Sequence, residues 1–280
     1  MDSEIEEFYN QLPFNICQTL EQQVSGVTNF NQIEDSFPDL HTRLKESTGL
    51  RVLDVGCGIG WLANSIAHYY AGHHVFGIDF SDTAIERARA VAHTLNLSST
   101  FEVKFLNNLS PDEHYDVICA MGVLHHTEDP RTSLKSLVKQ LTRQENKGIL
   151  YLGLYHKYGR GPFLQHFRKL ILEKGRLIAF EEFEKIFAIE SDNLLVESWF
   201  RDQFEHPKES HHTLSEVSSW LDELGLEVIS TSINRFSKID KPQDLFLEET
   251  TLEEVSRKRL SMGQFYPGFF TVLAEVRKEI

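Results

Sequence analysis

Residues 53–60 read Leu-Asp-Val-Gly-Cys-Gly-Ile-Gly, an apolar run closed by three glycines at alternate positions with Asp54 just ahead of the first. A run like this can leave a buried strand in a sharp turn and lay bare backbone against a ligand. A Cβ at Gly56, Gly58 or Gly60 would clash or block the dihedrals such a turn needs. Dinucleotide-binding folds place their third glycine three residues after the second and seat a pyrophosphate on the next helix N-terminus. Here the third glycine follows after two. Asp54 would also repel a pyrophosphate, whereas it suits a ligand carrying ammonium and sulfonium charges.

The next segments extend the pattern. His74-Val-Phe-Gly-Ile-Asp79 reads as a second buried strand ending in an acid 19 residues beyond Gly60. A carboxylate at that place takes both hydroxyls of a ribose in a bidentate hydrogen bond. Ser81 and Asp82 open a helix from Thr83 to about Leu95, with apolar Ala84, Ile85, Ala88, Val91, Ala92 and Leu95. Strand, glycine turn, helix, strand and acid make a βαβ unit. Residues 115–130 add another strand, a Leu-His-His loop and a helix started by Pro130. On these three stretches together the chain resembles the class I, Rossmann-like S-adenosylmethionine-dependent methyltransferases. Residues 53–60 are similar to their first motif and residues 77–81 to their second. S-adenosylmethionine is the cofactor this resemblance implies, and it carries both charges that Asp54 favours.

Composition agrees with such a chain. At 280 residues, 41% hydrophobic and 25% charged, it is long enough for one large α/β domain with insertions. A formal charge of −14 disfavours nucleic acid, whose phosphates demand a basic footprint, and disfavours anionic membrane surfaces for the same reason. Cys17, Cys57 and Cys119 are an odd few in a large chain, which points away from a disulfide framework and toward a reducing compartment. The acidic opening from Met1 to Glu7 lacks the pattern of a secretion signal, and no run of about 18 apolar residues appears. The expectation is a cytoplasmic protein without nucleic-acid or membrane partners. A homodimer remains open.

Residues 1–48 form a polar helical lead-in whose Phe8, Tyr9, Leu12, Pro13 and Phe14 can fold over a ligand mouth as a lid. The core is expected over 49–155 and 213–280, with strands near 51–56, 74–79, 101–106, 116–121 and 148–155 and helices near 60–70, 82–95 and 130–142. Residues 156–212 break this periodicity and read as an inserted cap. Thr213 and Glu216 make a capping box before an amphipathic helix that Gly225 ends. A sixth strand spans 226–233, a second insertion 234–263 holds another capping-box helix from Thr251, and a final strand spans 268–276. The fold class is therefore α/β: a seven-stranded, mostly parallel, doubly wound sheet with helices on both faces and a helical cap after strand five. That the seventh strand runs antiparallel between the fifth and sixth is implied by the resemblance alone.

The resemblance places cofactor contacts at Asp54, Gly56, Cys57, Gly58, Gly60, Asp79 and Phe80. It adds Asn107, Asn108 and Leu109 after strand three, where relatives carry an acid near the adenine, and Met121 and Gly122 after strand four. For an oxygen or nitrogen acceptor, and less so carbon, a histidine is the natural base near neutral pH. His126 and His125 sit on the loop at the carboxyl end of strand four, where α/β sheets bind ligands. Either they act as bases, with His126 the nearer to substrate, or they pack and hydrogen-bond backbone. Tyr155 is the third catalytic candidate. His156, Tyr158 and Arg160, leaving strand five, and His206 and His211 in the cap are candidate substrate contacts. No metal site is expected: His206, Glu209, His211 and His212 lack zinc-type spacing, and Pro207 breaks any helix there. The sequence thus points to an S-adenosylmethionine-dependent methyltransferase acting on a small molecule or accessible peptide group. The alternative is a non-catalytic protein that binds the same cofactor for regulation.

Overall fold

The computed structural model describes residues 3–110, 112–142, 148–187 and 192–277; Met1 and Asp2 of the acidic opening and the last three core residues, 278–280, lie outside these. Four short helices, α1 (Ser3–Gln11), α2 (Leu20–Thr28), α3 (Gln32–Ser36) and α4 (Pro38–Glu46), precede the sheet. The chain then alternates through β1 (Arg51–Val55), α5 (Trp61–Tyr69), β2 (His74–Asp79), α6 (Asp82–Thr94), β3 (Thr100–Val103), β4 (Val117–Met121), α7 (Pro130–Val138) and β5 (Ile149–Tyr155). Three helices follow, α8 (Lys157–Lys174), α9 (Arg176–Phe187) and α10 (Asn193–Phe200), the last running into a π-helical turn over Arg201–Glu205. The core resumes with α11 (Leu214–Glu223) and β6 (Leu226–Thr231), and ends with α12 (Leu252–Ser261) and β7 (Phe269–Val276).

The seven strands form one sheet in the order β3-β2-β1-β4-β5-β7-β6, with only β7 antiparallel to its neighbours. β5 is buried along its whole length, as its unbroken apolar sequence requires of a central strand covered on both faces. One face packs Leu53, Ile118, Leu150 and Leu152 against α7 and α11. The other packs Val52, Val75, Val117 and Tyr151 against α4, α5 and α6. The helices after β5 carry a core of their own, built on Phe163, Phe167, Phe183, Phe200 and Phe204.

Several boundaries differ from the sequence reading, each for a local reason. β3 stops at Val103 because its partner β2 ends at Asp79, whose carbonyl accepts the last ladder bond from the Lys104 amide at 2.8 Å, and a 3-10 turn, Leu106–Asn108, follows. α7 ends at Val138, short of 142, because residues 140–142 pair with Tyr115: its amide donates to Gln140 O at 2.8 Å and its carbonyl accepts Thr142 N at 2.9 Å. Thr213 does cap α11, accepting the Glu216 amide at 3.0 Å, but the Glu216 carboxylate meets His212 Nδ1 at 3.0 Å, so the return bond of a capping box is not made. Thr251 does not cap α12. It is already helical, at the end of a 3-10 turn, and its hydroxyl donates back to Glu248 O at 2.7 Å.

Candidate active site

At the carboxyl ends of β1, β2 and β4 the chain encloses a cavity of about 1290 Å³. Pockets for one drug-sized ligand span about 300–1,000 Å³. The volume is therefore suited to two ligands side by side.

One half is built by the glycine turn. Gly58 has a φ of +52°, which an L side chain rarely adopts, and a Cβ there would project into open space rather than into protein. Gly60, at φ +75°, serves a different purpose: a Cβ would lie 2.6 Å from Ala88 Cβ, so this glycine lets α6 approach and does not line the cavity. Asp54 is 3% exposed; its Oδ2 accepts the Ala63 amide at 3.2 Å, and burial pushes its pKa up to about 7. Asp79 accepts the Gly58 amide through Oδ2 and the Ser81 amide through Oδ1, both at 2.9 Å, and burial raises its pKa too. The rings of Phe80 and Phe105 lie near-parallel, centroids 6.1 Å apart, beside Asn107 and Asn108. Asp54, Gly56, Cys57, Gly58, Asp79, Phe80, Asn107, Asn108, Met121 and Gly122 all line the cavity. Leu109 instead packs on the hydrophobic core.

The other half is roofed by the N-terminal helices and the segment after β5. Trp199 packs on Phe14 at 4.6 Å and on Phe187 at 5.0 Å between centroids, forming an aromatic wall. Facing it is a polar cluster. Tyr9 donates to Asp202 Oδ1 at 2.7 Å and Tyr155 to Oδ2 at 3.2 Å, while Gln203 Nε2 donates to Tyr155 Oη at 2.6 Å. Burial lifts the pKa of Tyr9 and Tyr155 well above the usual phenol value, which keeps both neutral, and it raises the Asp202 carboxyl too.

His126 Nδ1 lies 2.8 Å from the Lys208 carbonyl. A carbonyl only accepts, so Nδ1 carries the proton and Nε2 keeps its lone pair. Burial lowers the His126 pKa to about 4, and its ring stacks on His206 at 3.7 Å. His125 is 1% exposed and touches Tyr155 at 4.3 Å between centroids; among the described residues neither of its ring nitrogens has a hydrogen-bond partner.

The remaining substrate candidates lie behind this lining rather than in it. His156 caps α8, its Nδ1 accepting the Tyr158 and Gly159 amides, with Nε2 held by Glu249 at 3.0 Å. Tyr158 lies against His156, ring centroids 5.7 Å apart, and does not line the cavity. Arg160 is fully buried, bound to Glu209 Oε2 at 2.9 Å and to Gln203 Oε1 at 2.8 Å. His206 backs His126, and His211 meets Glu209 at 2.7 Å. Among the described residues no group of three or more His, Cys, Asp or Glu is disposed to hold a metal. Tyr9, from the aromatic cluster of the lead-in, lines the cavity, and so do Asp202, Gln203 and Lys208, which the sequence did not mark. The Tyr9–Asp202 bond joins residues 193 apart, and no local pattern marks such a pair.

A family model described as a methyltransferase domain matches residues 30–231. The chain belongs to this methyltransferase family. It is 25% identical over 193 residues to a malonyl-[acyl-carrier protein] O-methyltransferase of Bacillus cytotoxicus, covering 64% of this chain and 65% of that protein. It is 33% identical over 93 residues to a ubiquinone biosynthesis O-methyltransferase of Bradyrhizobium diazoefficiens, covering 33% of this chain and 36% of that one. The chain thus spans less than two thirds of the length of these curated relatives. The magnesium protoporphyrin IX methyltransferase of Synechocystis PCC 6803 superimposes with a TM-score of 0.52 at 16% identity, over 98% of this chain and 99% of that structure, a likeness of fold. The sheet order and the single antiparallel strand are those of the class I methyltransferases.

Proposed function

We propose that the chain is an S-adenosylmethionine-dependent methyltransferase that moves a methyl group to an oxygen or nitrogen of a small molecule or accessible peptide group. The observation that carries this reading is the pair Asp54 and Asp79, two buried carboxyls on either side of the glycine turn in one cavity with room for a second ligand. Their chemistry fits the cofactor. Asp54 offers a carboxylate to an ammonium group, Asp79 to ribose hydroxyls, and Gly58 leaves space for the ligand against bare backbone. Phe80 and Asn108 would hold the adenine by its face and its edge. When bound, S-adenosylmethionine supplies a methyl group already activated by its sulfonium.

The protein's own work is then to position an acceptor, exclude water and take a proton. Residues 1–48 act as a lid and 156–212 as a cap over the acceptor, with 49–155 and 213–280 as the cofactor-binding core and 234–263 bracing the cap. Packing of Trp199 on Phe14, and the Tyr9–Asp202 bond, support the joint roof. His126 is the base through Nε2, its tautomer fixed by Lys208. His125 and Tyr155 face the acceptor, while His156, Tyr158, Arg160, His206 and His211 hold the wall in place. The two relatives named above act on oxygen, which supports an oxygen acceptor here. Free, buried Cys17, Cys57 and Cys119 suit the reducing cytoplasm, and no described helix is long and apolar enough to cross a membrane.

Incubation with methyl-labelled cofactor and a panel of hydroxyl and amine acceptors tests the reading. Label transfer to a member of the panel supports it; cofactor binding without transfer to any member favours the regulatory alternative.

A further inference from the structure

Asp202 is a buried carboxyl without a counter-charge. It is 6% exposed, stands with Gln203 on the π-helical turn over Arg201–Glu205, and lines the cavity. Turns of this kind recur at functional sites. Its three hydrogen bonds come from uncharged groups: the Tyr9 hydroxyl on Oδ1, and the Tyr155 hydroxyl and the Gln203 amide on Oδ2. Arg160 is committed to Glu209 and Gln203. Burial lowers the His206 pKa to about 4, so that ring stays neutral. Carboxylates withdrawn from water are nearly always paired with a cation, and among the described residues none pairs with this one. An ionised carboxyl takes about four hydrogen bonds, so the three present leave a place on Oδ1.

The surroundings suit a cation as well. Phe14, Trp199, Phe187 and Phe265 form one connected run of rings on the same half of the cavity. Aromatic faces attract cations, and the indole of tryptophan does so best. In the reading above, Asp54 and Asp79 are matched to the cofactor's ammonium and ribose, which leaves Asp202 as a cavity acid with no ligand group facing it. A hydroxyl fills the open place on Oδ1, but only a cation also supplies the missing charge.

We propose that Asp202, with the Trp199 wall beside it, is an anchoring subsite for a positively charged nitrogen, so that the methyl acceptor is a molecule or peptide group bearing an amine. The proposal rests on the methyltransferase reading and names its acceptor class. The ammonium is the anchor and a different atom takes the methyl group, so no bond is made or broken at Asp202. Burial raises the Asp202 carboxyl in the free protein, and the incoming cation reverses that preference.

The test is a set of equilibrium titrations of the full chain, with and without S-adenosylhomocysteine, using three probes that share an indole ring and a short side arm. Tryptamine is the cation, tryptophol the neutral alcohol and indoleacetic acid the anion. Salt at physiological strength screens the chain's overall negative charge. We expect tryptamine to bind about tenfold or more tightly than tryptophol, with the acid weakest. Asp202→Asn keeps the shape of the side chain and should bring tryptamine and tryptophol to within about twofold of each other. Retained S-adenosylhomocysteine affinity reports that this variant is folded, and the wild-type ratios decide the matter if it is not. Equal binding of tryptamine and tryptophol, or no saturable binding of tryptamine, overturns the proposal. Preference for the acid does so too and would point to Lys208 on the same cavity. A tryptamine preference that survives in folded Asp202→Asn also overturns it, as does competition between tryptamine and S-adenosylhomocysteine, which would assign Asp202 to the cofactor. Tryptamine preference with silence toward S-adenosylhomocysteine would strike the cofactor reading and leave the cation subsite standing.

Discussion

Asp79 Oδ2 accepts the amide of Gly58 at 2.9 Å, which ties the end of β2 to the glycine turn that leaves β1. The carboxyl therefore shapes the turn as well as facing the cavity. Asp79→Ala should weaken S-adenosylmethionine affinity by about 10- to 150-fold, the loss of about 1.5–3 kcal/mol expected of a charge-assisted hydrogen bond. Titration calorimetry reads it, and unchanged affinity would remove Asp79 from the site.

Asp54 should make cofactor binding depend on pH. Burial raises its carboxyl from 3.8 to about 7, so in the free protein the folded state prefers it protonated. That contribution to stability is complete below pH 3.8 and is lost as pH rises through about 7. A cationic ligand reverses the preference and expels the proton. Affinity for S-adenosylmethionine should therefore rise between pH 6 and pH 8, with protons released near pH 6, seen as buffer-dependent binding heats. Asp54→Asn should flatten the profile, and a profile unchanged by that substitution would refute the assignment.

His126 should behave as a base that is neutral throughout the physiological range. With its pKa lowered to about 4 by burial, it gives no inflection in turnover near 6.5. His126→Ala should reduce turnover by about 10²-fold. S-adenosylhomocysteine affinity should stay near that of the unaltered protein. Turnover within a few-fold of the parent would return this ring to a packing role against His206.

The buried pair Arg160 and Glu209 ties α8 to the segment before α11. Burial opposes the Glu209 charge, but His211 and Arg160 together more than offset it and bring the carboxyl from 4.5 down to about 2. Its contribution to stability is present above pH 4.5 and is lost as pH falls through about 2. Removing one partner strands the other in the interior, so Arg160→Ala should cost about 3–5 kcal/mol in chemical denaturation. A loss below about 1 kcal/mol, the range of an exposed pair, would contradict this account.

Much of the sheet was legible because its signals are local. The alternation of apolar runs with glycine turns marked β1, β2 and β4, and Pro130 announced α7, which the structure starts there with the Asp129 carboxylate as its cap. The half of the cavity built by the glycine turn belongs to two consecutive strand ends and so shares that legibility. The half roofed by the N-terminal helices does not. Tyr9 meets Asp202 only through tertiary packing, and the exit of His156, Tyr158 and Arg160 from β5 points toward the cavity. The helix that begins at Lys157 turns them away: His156 is spent as its cap, and Arg160 is carried one turn on to Glu209. Gly60 shared the spacing of its neighbours, yet the contact it makes possible, with Ala88, lies on a distant helix.

The most direct measurement is calorimetric titration of the purified protein with S-adenosylmethionine, S-adenosylhomocysteine and NADH. Saturable one-to-one binding of the first two and none of the third is the predicted result. Binding of NADH, or silence toward both sulfur ligands, would contradict the assignment of the glycine turn, Asp54 and Asp79 to this cofactor.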